Sequence, residues 1–152
     1  MKQFRNSIIV VLIIALLTPI YASASTQDTQ TVSYVYFENG CYAVIRTVEI
    51  PSRATGQKSG YREKTYYSES GSALWIATLN ANFTYTGTTS TCTSASTQVT
   101  IYNSAWSCAS RSASRSGNTA TGNFTMRLQA IFSSMDFPVT LTLSCDKNGN
   151  LS

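Results

Sequence analysis

Apolar and polar positions alternate with a period of two along most of this chain, which is the signature of half-buried β-strands. The longest such run is residues 73–85. Ala73, Trp75, Ala77, Leu79, Ala81, Phe83 and Tyr85 share one face. The other face opens with Leu74 and Ile76 and continues with Thr78, Asn80, Asn82 and Thr84. Large and small residues alternate on the apolar face, which suits interdigitation with a facing sheet. At about 3.4 Å per residue the run would span roughly 40 Å, twice a usual strand, so a bend or bulge near Thr78 is expected. A second long run, 120–132, puts Ala120, Phe124, Met126, Leu128, Ala130 and Phe132 on one face. Residues 139–145 repeat the pattern with Val139, Leu141, Leu143 and Cys145 inward. Pro138 opens that strand without needing a ladder donor.

Shorter segments complete the set. Residues 32–38 and 42–50 flank Asn39-Gly40, a strong hairpin signal. Residues 61–68 alternate weakly and carry charge, which suits an edge strand or a strand polar on both faces. Residues 98–102 form a short strand with Val99 and Ile101 inward. Between them, 51–60 reads as a loop, 87–96 as a Thr/Ser-rich connection carrying Cys92, and 108–119 as a mobile, low-complexity Ser/Arg loop. No segment has a helical period. About seven strands separated by turn signals predict an all-β fold, an antiparallel β-sandwich, with a small β-barrel as the alternative.

The first residues have a different pattern. Lys2 and Arg5 precede an apolar run from Ile8 to Leu17, and Ala22-Ser23-Ala24 has the small-x-small form of a cleavage site. The run is short of the ~20 residues of a membrane span. The expected division is a secretory signal peptide over 1–24, a flexible leader over 25–31 and a single all-β domain over 32–152. The expected location is extracellular or at the cell envelope, with no membrane association after cleavage. The chain has a formal charge of +4, and loss of Lys2 and Arg5 leaves nine basic against seven acidic side chains. That balance is too mild to argue for nucleic acid.

Export changes the reading of the cysteines. Cys41, Cys92, Cys108 and Cys145 are an even number in an exported chain, so two disulfides are expected. Cys145 lies on an inward face, which suggests Cys92–Cys145 and leaves Cys41–Cys108. No C-x-x-C pair and no histidine is present, which argues against a zinc site. No cofactor is expected.

Four stretches, SALWIATLNANFTY, TSASTQVTIYNSAW, SGNTATGNFT and VTLTLSCDKNGNLS, resemble small secreted proteins of Gram-positive bacteria. The resemblance runs from about Ala73 to the C-terminus. It implies a bacterial exported β-protein and supplies no activity.

The candidate chemistry is sparse. Without histidine there is no Ser-His or Cys-His nucleophile pair and no usual general base near neutral pH. The acids are Asp28, Glu38, Glu49, Glu63, Glu69, Asp136 and Asp146. A carboxylate-dependent polysaccharide hydrolase needs two of them across one cleft. Glu38 and Glu49 are candidates across the first hairpin; Glu63 and Glu69 lie about 20 Å apart on a strand. Asp146 to Asn150 has the look of a calcium loop, but its glycine sits in the wrong place and a terminal turn accounts for it better. Tyrosine and tryptophan suit binding surfaces. Tyr61, Tyr66 and Tyr67, beside Arg62 and Lys64, form the candidate ligand-binding face for a glycan or an anionic wall polymer. The sequence therefore favours a secreted, non-catalytic β-sandwich that binds a glycan, a cell-wall polymer or an extracellular protein. The alternatives are the hydrolase and a partner-dependent structural subunit.

Overall fold

The computed structural model describes residues 30–52 and 55–152; the expected signal peptide, most of the leader, Asp28 and Arg53 lie outside them. Eight antiparallel strands form two sheets that do not close into a barrel among the described residues. Sheet A runs β1 (Gln30–Tyr36), β2 (Tyr42–Ile50), β3 (Gln57–Tyr67), β4 (Ala73–Tyr85) and β5 (Ser90–Ile101) in chain order. Sheet B runs β6 (Trp106–Ser116), β7 (Thr119–Ala130) and β8 (Ser133–Ser144). Each sheet is a meander, so every pairing joins sequence neighbours, and sheet B lies against β3, β4 and β5.

The long alternating run is the centre of the core. Trp75, Ala77, Leu79, Ala81 and Phe83 of β4 are buried against Ala120, Phe124 and Met126 of β7 and Val139, Leu141 and Leu143 of β8. Small residues on β4 leave room for large ones opposite, which is how two sheets interdigitate at native density. Gly122 of β7 lies where a Cβ would meet Leu79, Thr97 and Phe124, so the absent side chain sets how closely β7 approaches sheet A. The irregularity expected in β4 falls at Leu74, opposite Tyr66 and Tyr67 of β3, rather than near Thr78; a second falls at Thr93 of β5, opposite Asn82 and Phe83.

Four expectations are corrected. The Ser/Arg stretch is strand β6, almost wholly exposed and paired with β7, not a mobile loop. The Thr/Ser connection is the first half of β5. The segment taken for an edge strand is interior: β3 pairs with β2 on one side and β4 on the other. Pro138 sits within β8 rather than at its start, and β8 is an edge of sheet B, where a missing donor costs no ladder bond.

The cysteines are also corrected: all four are unpaired. Cys92 and Cys145 are buried at the same end of the sandwich, where their amides donate to the adjacent carbonyls of Gly117 and Asn118. Their thiols instead approach nearby carbonyls, those of Ser94 and Asp146. Burial is the first cause that pushes both thiols up. Cys41 precedes β2, whereas Cys108 is on β6, which packs on β5. The Cys108 thiol approaches the Ser110 carbonyl, and the Cys41 thiol lies against the Tyr66 phenol.

The last residues close the far end of the sandwich. Asp146 accepts the amides of Asn148 and Asn150 and the Asn150 side-chain NH₂. The resulting turn returns the chain, so that Leu151 bridges to Cys145. Leu151 then covers Gly60 of β3, where an added Cβ would lie 2.4 Å from its Cδ1. The terminal-turn reading of this stretch is what the structure has.

Candidate functional site

At the opposite end, five aromatic side chains from five parts of the chain meet between the sheets. Trp75 of β4 lies beside Tyr66 of β3 in register, and their rings stack at 5.3 Å and 13°. Trp106, the first residue of β6, meets the edge of Tyr66 at 5.6 Å and tilts against Trp75 at 5.9 Å. Phe137 of β8 packs on Trp106 at 5.1 Å. Phe37, in the β1–β2 turn, packs on Tyr66 at 5.4 Å. Each strand contributes here through its inward positions, so the same alternation that builds the core builds this cluster.

The cluster does not fill its space. With Glu38, Asn39, Lys64, Pro138 and Val139 it lines a cavity of about 470 Å³. That is within the range of about 300–1,000 Å³ common for small-ligand sites. The Trp75 indole Nε1 is enclosed in the packing behind the cavity wall and meets no acceptor; Trp75 is only 2% exposed. Buried indole N–H groups are normally bonded, and an orphan costs about 1–3 kcal/mol. One donor faces the cavity without a protein partner, Lys64. Its ammonium stands 6.0 Å over the Phe37 ring, a cation–π contact, and desolvation lowers its pKa. Among the described residues the ion pairs are Arg46–Glu63, Lys58–Glu49 and Arg127–Asp136, so no carboxylate is in bonding range of Lys64. The Tyr66 phenol is raised first by burial and then by its hydrogen bond and charge interaction with Cys41, against a bond from Asn39.

The expected binding face is divided by this geometry. Lys64 and Tyr66 line the cavity. Arg62 shares their side of β3, and its guanidinium donates to the Thr142 carbonyl of β8 at 2.9 Å, tying the two sheets together. Tyr61 and Tyr67 are on the outer face. Tyr67 stacks on Tyr42 at 4.8 Å and 8°, and Tyr42 in turn meets Tyr36 at 5.9 Å. Tyr34 stacks on Tyr36 at 6.5 Å and 14°. Rings stacked on one another present edges and hydroxyls outward, which is not the flat platform a sugar ring needs. Tyr61, Arg62 and Tyr67 therefore do not join Tyr66 and Lys64 in one patch.

The carboxylate pairings are likewise not formed. Glu49 is bound by Lys58 and Glu63 by Arg46, and Asp136 holds Arg127 in a two-pronged pair at 2.6 and 2.8 Å. Glu38 and Glu49 lie at opposite ends of the first hairpin: Tyr36 faces Tyr42, while Gln30 faces Val48. Sequence reasoning missed Phe37, Asn39, Trp106 and Phe137 as lining residues. The usable signal was the pair of tryptophans, because an indole N–H placed in a core has to find an acceptor. The chain matches no protein-family model, no curated protein and no solved structure.

Proposed function

We propose that this is an exported, non-catalytic binding protein of the cell envelope or its surroundings, and that it takes its ligand into the cavity between the sheets. The observation that carries this reading is the cavity itself, large enough for a ligand, lined mainly by rings and holding the unpaired Lys64. A fold that only needed a core would fill that space and keep a charged side chain out of it. The engagement of Glu49, Glu63, Asp136 and Asp146 in ion pairs or turn bonds supports a role without carboxylate catalysis. Glycan, wall polymer and extracellular protein remain the ligand sources, since each can offer an acceptor group or chain end to the cavity.

The test is retention of the purified chain, residues 25–152, on whole cell walls and insoluble polysaccharides across a salt series. Trp75→Phe keeps a ring in the cavity wall and changes the shape of that wall. It is expected to weaken retention about tenfold, about 1.4 kcal/mol of lost aromatic contact. Retention that is untouched by Trp75→Phe but lost with Tyr36→Ala and Tyr67→Ala would move the site to the outer face.

A further inference from the structure

Building on that binding role, we infer that the cavity takes an organic anion with an apolar body. The body lies among Phe37, Tyr66, Trp75, Trp106 and Phe137, and the anionic group meets the Lys64 ammonium.

Three observations converge on this ligand class. First, Lys64 occupies an inward position of an interior strand. It pairs across to Ala77, which is fully buried, so the lysine leaves the sheet beside the core and not toward open water. Charged residues are rarely put there unless something pairs them. Second, nothing of the protein pairs it. Glu63 points to the other face and holds Arg46, and Glu49 holds Lys58. Glu38, at the cavity mouth, is exposed, so water screens its charge while the partly desolvated Lys64 keeps its field. Third, the cavity that Lys64 lines is otherwise walled mainly by rings. An anion pairs the ammonium, whereas a cation would meet it with repulsion. The rings reward an apolar body with burial, and the cation–π attraction at Phe37 is already taken by Lys64.

The inference also fixes a pH dependence. Anion binding needs the protonated lysine, so affinity falls as pH rises through the lowered Lys64 pKa, and a bound anion raises that pKa again. Arg62 and Tyr66 share the face of Lys64, and Glu38 and Cys41 come from the β1–β2 connection. Of these, Tyr66 also titrates in the alkaline range.

The experiment measures binding of decanoate, decanol and decyltrimethylammonium to the 25–152 chain by calorimetry and tryptophan fluorescence, at neutral and alkaline pH. Decanoate is expected to bind at least about tenfold tighter than decanol, and decyltrimethylammonium not to bind. Lys64→Met should cost decanoate about tenfold, leave decanol unchanged and abolish the lysine part of the pH profile. It should also raise Tm by about 2–4 °C, because a desolvated ammonium is removed, and that rise shows the variant is folded. Equal binding of decanol and decanoate, or indifference to Lys64→Met, would overturn the anion while leaving the cavity as the site. So would failure of every probe alongside loss of wall retention in Trp75→Phe. Failure of every probe together with unchanged wall retention in Trp75→Phe would overturn the binding reading as well.

Discussion

A single carboxylate, Asp146, organises the last turn of the chain. Both of its oxygens accept bonds from residues 148–150. Those bonds, the Asn150 side chain first, hold its pKa below the ordinary 3.8. The Arg127 hydrogen bond does the same for Asp136. The sign follows from linkage: a folded pKa below the unfolded one means the ionised group stabilises the fold above pH 3.8. That contribution is lost as pH falls through the folded value. Asp146→Ala is therefore expected to lower Tm at neutral pH, and the gap from the parent should close as pH is taken from about 5 to about 2. A gap of constant size over that range would mean that the carboxylate acts through shape and not through charge. Trp75 and Lys64 show the opposite arrangement, in which polar groups are left without partners. Local inconsistency of that kind is where function is to be sought.

At the scale of elements, what could be read from the sequence depended on whether a strand has a buried side. β4, β7 and most of β8 each set an apolar face against the other sheet, so the period of two was visible in their residues. β6 has almost no buried face: from Ala109 to Ser116 it is exposed, and it is built of Ser, Ala and Arg. Its stability comes from pairing with β7, which no one-strand pattern records. The candidate face on β3 failed for a reason the sequence did contain. Residues 62, 64 and 66 alternate with 61 and 67, so the five could never share a side; only Lys64 and Tyr66 reached the cavity. The cavity itself needed strands distant in sequence and was not legible. The β7–β8 hairpin raises a separate point. Its two-residue loop is Ile131-Phe132, 91% and 98% exposed. No non-glycine residue among those described has a positive φ, so this is not one of the primed turns that match strand twist. Replacing the pair by Asn-Gly is expected to stabilise the domain by about 0.5–1 kcal/mol, seen as a higher urea midpoint at unchanged slope. A lower midpoint would show that Ile131 and Phe132 support the fold through contacts of their own.

The whole molecule is asymmetric in two ways, and the second gives the sharpest test of how it holds together. Five strands face three, so sheet B covers β3 to β5 and leaves the inner faces of β1 and β2 beyond its edge. The aromatic cavity lies at the end where the β1–β2 turn, β6 and the middle of β8 converge. The other end is sealed by the C-terminal turn. There Leu151 lies on Gly60, Gly149 packs on the Tyr85 ring, and Lys147 accepts the amide of Gly87. Cys92 and Cys145 are buried just beneath this seal. Ending the chain at Lys147 removes Leu151 from Gly60, and loss of one largely buried leucine is worth about 1–3 kcal/mol. It should also open the end where the two thiols lie. Reaction with a thiol reagent under native conditions should then change in a selective way. Cys41 and Cys108, which are partly exposed, should react at similar rates in both forms. Cys92 and Cys145 should react slowly in the parent, where burial keeps them protonated, and faster in the shortened chain. Equal acceleration of all four would mean that the turn stabilises the domain globally and is not a local seal. An absence of reaction at Cys92 and Cys145 even after unfolding without reductant would show that the two are joined in the purified protein. The seal would then be covalent rather than packed.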